Sequence, residues 1–294
     1  MLVFTSVSVS AALSCDDEGL WLQVLGSGGP ELDDGRASSG YVIWNEGKAR
    51  FLIDIGSGSM FQFEQSGASL NDLEAIMLSH MHVDHSNDLP ALIKASFFSN
   101  RNSDLYIYGP TGNRFMPSAT NFVQNLFSDD HGAFQYLSSY LNGTDSYQLI
   151  PYDVDATSKK ADVVMSNANY RLTAMPVNHG SIPALAWRVD IEGKSIVFSG
   201  DMSNRNGTLA TLAKDADLLV AHNAVPEGAR GVARNLHMTP SVIGEIAAQA
   251  QVNQLVISHR MNRTIGQEDT TTEQIRKQYQ GPMQFADDLQ CFKF

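Results

Sequence analysis

The stretch Leu78-Ser79-His80-Met81-His82-Val83-Asp84-His85 decides how this chain reads. It grows out of the apolar run Ala75–Leu78, which has the make-up of a short buried strand. Side chains alternate on an extended segment, so His80 and His82 point the same way. Asp84 and His85 then fall at the turn into the amphipathic stretch Leu89–Phe98 and face a second point close by. Imidazole nitrogens and a carboxylate oxygen are what a borderline divalent cation such as zinc takes. The bland alternative is a chance cluster or a histidine capping a helix. Three histidines and an aspartate packed behind a strand argue against it.

Working outward, three more candidates each follow an apolar, β-like run. His179 follows Arg171–Val177, Asp201 follows Ser195–Ser199 in Phe-Ser-Gly-Asp, and His259 follows Gln254–Ser258. Two cations about 3.5–4 Å apart can share a water, lower its pKa toward neutrality and polarise a carbonyl or phosphoryl oxygen. A carboxylate such as Asp201 offers two oxygens and can span both. Such a centre hydrolyses esters, amides, thioesters and phosphodiesters alike, so it fixes the reaction type better than the substrate.

Composition narrows the partners. The 294 residues carry 20 Lys+Arg against 32 Asp+Glu, a formal net charge of −12, with 43% hydrophobic residues. That is a globular composition, and its surface field repels phosphate backbones and anionic lipid. No run approaches the length of a membrane span. Residues 1–18 read either as a signal peptide lacking its basic start or as an N-terminal strand. The first reading makes the protein periplasmic or secreted, the second cytoplasmic. Cys15 and Cys291 stand at opposite ends of the chain and are too few for a disulfide scaffold. They could pair in an oxidising compartment, but they are expected to stay unpaired, or Cys15 to leave with the signal.

From residue 19 to residue 294 nothing marks a linker or repeat, so one domain is expected. Further strands are expected at Leu20–Leu25, Tyr41–Trp44, Phe51–Ile55, Leu105–Tyr108, Tyr147–Pro151, Val163–Met165, Ala184–Val189, Leu218–Ala221 and Met283–Phe285. Helices are expected at Asn113–Leu126, Leu209–Lys214, Pro240–Ala250 and Thr272–Tyr279, the third with Thr239 as its cap. Hairpin-linked strands with interspersed helices suggest two sheets covered by helices.

The chain resembles the metallo-β-lactamase-fold hydrolases from about Gly19 to its C-terminus. The string LSHMHVDH carries the resemblance, supported by Leu25–Gly29 (LGSGG), Leu52–Gly58 (LIDIGSG), and the ordered His179, Asp201 and His259. The resemblance implies an α/β fold, the four-layer αββα sandwich of two mixed sheets flanked by helices. It further implies that His80, His82 and His179 hold one metal and Asp84, His85 and His259 a second. Asp201 would bridge the two, and Asp54 would orient the metal loop from behind it. Zinc is the default for these ligands, while iron and manganese suit the same set.

Within that superfamily the chain is similar to the ribonuclease Z branch. The tract HGSIPALAWRVDIEGKSIVFSGD and the later AHNAVPEG and NLHMTP follow that branch's order. A bridging aspartate also separates it from the class B β-lactamases. One departure stands out: His222 is followed by Asn223 where the branch has glutamate. The pair that would assist proton transfer to the leaving group is therefore incomplete. His237 remains for that role, unless it merely caps a helix, and His222 is either a supporting residue or a buried strand end. His131 reads as a surface loop residue. The branch often projects a basic arm between its second and third motifs to grip transfer RNA. Arg101–Lys160 instead carries aspartates that include Asp129, Asp130, Asp145, Asp153 and Asp155, and aromatics that include Phe122, Phe127, Phe134, Tyr136, Tyr140, Tyr147 and Tyr152, read as core or pocket lining.

The expectation is thus a dinuclear metal hydrolase acting on a small phosphodiester or ester through a bridging hydroxide, with transfer RNA disfavoured as partner. Three alternatives stand beside it: β-lactamase or lactonase activity on the same centre, 3′-processing of transfer RNA, and a non-catalytic binding protein that kept the fold. The branch suggests a homodimer.

Overall fold

The computed structural model describes residue 15 and residues 18–294. Residues 1–14 and 16–17, on which the signal-or-strand reading falls, lie outside the described residues. The first sheet begins with the antiparallel strands β1 (Leu20–Gly26), β2 (Gly40–Asn45) and β3 (Lys48–Ile55). It continues in parallel through β4 (Ala75–Met77), β5 (Leu105–Pro110) and β6 (Leu149–Val154). The second sheet contains β7 (Asp162–Ser166), β8 (Tyr170–His179), β9 (Ile182–Ile191) and β10 (Lys194–Phe198), which run antiparallel in sequence order. β11 (Leu218–His222), β12 (Gln254–Ser258) and β13 (Met283–Phe285) then extend it in parallel from β10. A last strand, β14 (Cys291–Lys293), returns to pair with β1.

Period-two alternation builds the layers. Tyr41, Ile43, Phe51 and Ile53 point between the sheets, where they meet Trp187 and Phe198. Their neighbours Val42, Trp44 and Leu52 point outward, and the left-handed Asp54 breaks the alternation so that Ile55 also packs on the outer face. That outer face is covered by α1 (Ser59–Gln65), α3 (Leu89–Ser96), α4 (Ala119–Phe127) and α5 (Ser138–Asn142), while the one-turn α2 (Val83–Ser86) lies at its edge. The far face of the second sheet is covered by α6 (Leu209–Leu212), α8 (Pro240–Gln249) and α9 (Glu268–Arg276), with α7 (Gly231–Leu236) lying outside that core. Each sheet buries both faces, which is why its strands read as near-continuous apolar runs. The result is the expected αββα sandwich.

Several boundaries moved for local reasons. The α4 helix starts at Ala119, because Pro117 precedes it and the Ser118 hydroxyl accepts the Asn121 amide at 3.2 Å. Asp84 and His85 sit in a one-turn helix of their own, ahead of α3. Thr239 occupies the cap position of α8, but its hydroxyl lies 3.2 Å from Ser241 Oγ. The free amide of Ser241 donates instead to Glu227, at 2.9 Å. Arg101–Lys160 is folded into the first sheet and its helices. Arg101 itself is buried and donates to the carbonyls of Leu70, Leu73 and Asp104.

The cysteines correct the expectation that they stay unpaired: Cys15 and Cys291 form a disulfide. Their separation of 276 residues hid this, because β14 lies on β1 with Cys291 opposite Gln23. The link closes nearly the whole chain into one loop. Cys291→Ser is therefore expected to cost about 2–4 kcal/mol, measured as a lower denaturant midpoint that reductant produces equally in the parent protein.

Candidate metal centre

Strands β4, β8, β10, β11 and β12 all end on the same edge of the sandwich, where open α/β sheets place their ligands. His80 and His82 follow β4, while His179 and His222 close β8 and β11. Asp201 lies just beyond β10 and His259 just beyond β12. All of them are buried except His82, which is half-buried.

Two glycines make the approach possible. A Cβ on Gly56 would fall 2.1 Å from the Asp84 carbonyl oxygen. Gly200 has φ +56°, and its Cβ would fall 2.9 Å from Ser79 Cβ. Asp54 and His259 are non-glycine residues in the left-handed region, at φ +53° and +51°. Such a conformation costs about 1–3 kcal/mol and persists where surrounding bonds over-determine it. For Asp54 those bonds are visible. One oxygen accepts the Ser79 amide at 2.6 Å; the other accepts the Ser79 hydroxyl at 2.8 Å and sits 2.7 Å from His85 Nδ1.

The ring partners fix which nitrogens face inward. His85 Nδ1 donates to Asp54, leaving Nε2 for the centre. His179 Nδ1 donates to the Leu236 carbonyl at 2.9 Å, again leaving Nε2. His80 Nε2 lies 2.8 Å from His82 Nδ1, which lies 3.4 Å from His179 Nε2. Beside this trio, His85 Nε2 is 3.2 Å from His259 Nε2, with Asp84 Oδ2 at 3.5 and 3.3 Å from the two. Asp201 stands between the groups. Its Oδ2 is 3.7 Å from His85 Nε2 and 3.9 Å from His179 Nε2, and its Oδ1 is 3.4 Å from His259 Nε2. Ligand atoms about 2.0–2.1 Å from a tetrahedral zinc sit roughly 3.3 Å apart, so these spacings fit a divalent cation. The cluster brings together all seven expected ligands.

His222 and His237 also lie within reach of Asp201. For His222 both nitrogens are taken: Nδ1 is 2.9 Å from Asp201 Oδ1 and Nε2 is 3.0 Å from the Tyr41 hydroxyl. The carboxylate only accepts, so Nδ1 carries the hydrogen and Nε2 accepts from Tyr41. His222 therefore orients Asp201. His237 differs: its Nδ1 is 3.7 Å from Asp201 Oδ2, has no hydrogen-bond partner, and belongs to a residue only 8% exposed. Asn223 is buried and donates to the Val225 carbonyl at 3.1 Å. His131 is exposed beside Asp130, as expected of a loop residue.

Sequence reasoning missed Tyr41 and Ser79. Tyr41 is the second residue of an apolar strand and looks like any core aromatic. Burial pushes its phenol well up, so it keeps its proton, and its oxygen lies 2.9 Å from Ser258 Oγ beside ligand candidate His259. Tyr41→Phe is expected to weaken divalent-ion binding about 10–100-fold, read by competition with a chelating dye, while the thermal midpoint stays near the parent value.

Electrostatics suit cation binding. Burial, together with His85 and His179, pushes His80 well below the ordinary imidazole value, and burial lowers His82 and His179 as well. Burial brings His222 and His237 down to about 4. His80, His82 and His179 are neutral at pH 7 and offer lone pairs. Burial of His85 and His259 is instead outweighed by the carboxylates beside them, which raise both rings, so a cation bound there displaces protons. Burial opposes ionisation of Asp84 and Asp201 but is outweighed by their histidine neighbours, so both carboxyls are held well below the usual range.

A family model for the beta-lactamase superfamily domain matches residues 49–260. Ribonuclease Z of Mycolicibacterium paratuberculosis is 27% identical over 279 residues, covering 90% of this chain and 95% of that protein. Ribonuclease Z of Haloferax volcanii is 25% identical over 296 residues, covering 90% and 92%. Among solved structures, the short form of human tRNase Z superposes with a TM-score of 0.72 at 20% identity, over 93% of this chain and 98% of that one. The metallo-beta-lactamase fold protein YhfI from Bacillus subtilis gives 0.71 at 20% identity, over 94% and 99%. Those two likenesses speak to the fold, which the sheet order already describes. Sandwich, buried His/Asp cluster and family match agree: the chain belongs to the beta-lactamase superfamily domain family and is a metal-dependent hydrolase similar to the ribonuclease Z proteins.

Proposed function

We propose that the chain hydrolyses a small phosphodiester or related ester at a centre of two divalent ions, with zinc the first choice and iron or manganese suited to the same ligands. His80, His82 and His179 would hold one ion, Asp84, His85 and His259 the other, with Asp201 between them. The observation that carries this reading is the division of inward-facing nitrogens into two groups on either side of one carboxylate. Two such ions, when bound, lower the pKa of a shared water and draw charge from the oxygen of the scissile group. The protein's own part is to hold Asp201 through His222 and Tyr41, His85 through Asp54, and to present His237 toward the leaving group.

Several features favour a small substrate over transfer RNA. The net charge is −12, the segment that would form a basic arm is folded into the domain, and Arg101 is buried on backbone carbonyls. The relatives that carry the name ribonuclease Z favour the second reading, 3′-processing of a transfer RNA precursor. A panel of bis(p-nitrophenyl) phosphate, nitrocefin, an acyl-lactone and a precursor transfer RNA separates the readings. Dominant turnover of the first supports the proposal, and dominant cleavage of any other overturns it.

We further propose export to an oxidising compartment, periplasmic or outside the cell, which the Cys15–Cys291 disulfide supports. Any signal cleavage must then fall before Cys15. Mass spectrometry of the mature N-terminus tests this: a fraction retained in the cytosol with free thiols contradicts it. The homodimer that the branch suggests is part of the same proposal, and light scattering measures it.

A further inference from the structure

The metal loop has a second face. Within α2, Asp84 and His85 turn into the cluster while Val83 and Ser86 border a cleft of about 580 Å³ on the other side. Val83, flanked by two ligand candidates, is 67% exposed. Across the cleft stand Phe122, Leu126, Phe134 and Tyr136, with Met81 at its inner end. A cleft of this size, apolar with few polar groups, has the character of a small-molecule site.

Its charge is specific. The Lys94 ammonium stands at the rim, 4.2 Å from the Phe97 ring centroid, 5.3 Å from Phe98 and 5.4 Å from Tyr136. Three rings hold it in place. Among the described residues no carboxylate lies within ion-pair distance of Lys94. The one acid lining the cleft, Asp88, accepts the Met60 amide at 3.0 Å. An unpaired cation over aromatic walls, in a chain of net −12, selects against neutral aliphatic ligands and for anionic aromatic ones.

We propose that this cleft is the subsite for the non-reacting end of the substrate, a planar aromatic group bearing a negative charge that meets Lys94. The rings of Phe122, Phe134 and Tyr136 and the Met81 thioether receive the aromatic plane. The cleft adjoins the metal loop, because its lining residues Met81 and Val83 flank ligand candidate His82, and Val83 and Ser86 flank Asp84 and His85. This inference rests on the hydrolase reading for its meaning, but binding tests it without turnover.

The probe is 8-anilinonaphthalene-1-sulfonate, with the neutral N-phenyl-1-naphthylamine as its uncharged counterpart, titrated by fluorescence into the full chain. Saturable one-to-one binding of the sulfonate is expected. Lys94→Gln should weaken it about tenfold while changing the neutral probe less than about twofold. Phe134→Ala should weaken both. Phe61→Ala, which removes an exposed ring in a different cleft, should change neither. Unchanged sulfonate binding in Lys94→Gln, or equal loss in Phe61→Ala, overturns the proposal. So does light scattering that shows a parent dimer dissociating in either cleft variant, because a second copy would then be the occupant. In active protein the sulfonate should compete with bis(p-nitrophenyl) phosphate at an inhibition constant equal to its dissociation constant, and non-competitive inhibition refutes the subsite. Protein that binds the probe as predicted but hydrolyses no member of the substrate panel defeats the hydrolase reading alone.

Discussion

Asp201→Ala is expected to lower kcat/KM by three orders of magnitude or more, a loss of about 4 kcal/mol in transition-state stabilisation. Its carboxylate reaches both halves of the cluster: its two oxygens lie 3.4–3.9 Å from the inward nitrogens of His85, His179 and His259. Its removal leaves those imidazoles without their shared anion and His222 Nδ1 without its acceptor. The loss should appear in bound metal as well as in rate, because a ligand and a counter-charge disappear together. Asp201→Asn separates the two contributions. It keeps the shape and one oxygen but removes the charge, so it should retain more metal than the alanine variant and remain far below parent activity. Full activity in either variant would contradict the assignment.

The second large effect is expected at His237. Its ring nitrogen faces Asp201 without a hydrogen-bond partner in a nearly closed site, the arrangement of a donor waiting for substrate. Burial lowers this ring to about 4, and cations bound nearby would lower it further. It is therefore neutral throughout the neutral range and donates one N–H as a hydrogen bond. Removing a preorganised donor of this kind costs about 10²–10³ in kcat. His237→Ala should show that loss on esters with poor leaving groups and much less on nitrophenyl esters, whose leaving group needs little help. The sign of the pH dependence follows: because the folded value lies below the ordinary one, raising pH through the usual histidine range removes no proton from His237. Wild-type activity should not fall there, and a decline absent from His237→Ala would assign an imidazolium acid instead.

How much of this could be read in advance depended on whether a residue's role was local. His80, His82, Asp84 and His85 are adjacent, so the string itself announced the cluster, although His80 and His82 lie past the end of β4 in irregular backbone. His179, Asp201 and His259 were legible because each follows an apolar strand. Asp54 stood out in Leu52–Gly58, though its left-handed φ did not. Tyr41 was invisible: the sequence of β2 cannot show that its phenol crosses between the sheets to His222, because that depends on how β2 and β11 superpose. The disulfide was hidden for the same reason. β14 is three residues long, and only its register on β1 carries Cys291 to Cys15. Thr239 does stand at the cap of α8 as its sequence suggests, but Glu227 from a distant loop takes the Ser241 amide in place of the Thr239 hydroxyl. The aromatics of the 101–160 segment divided as their surroundings dictate. Phe127, Tyr140 and Tyr147 entered the core, while Phe122, Phe134 and Tyr136 line the cleft beside the metal loop.

The central claim is that one cluster of imidazoles and carboxylates holds two divalent ions. Metal analysis by mass spectrometry, on protein purified with zinc, iron and manganese all available, tests it most directly. The account predicts two ions per chain in the parent, with about one retained when His80 or His259 is changed to alanine and less still in Asp201→Ala. A parent chain that binds none, or variants that keep both ions, would contradict it.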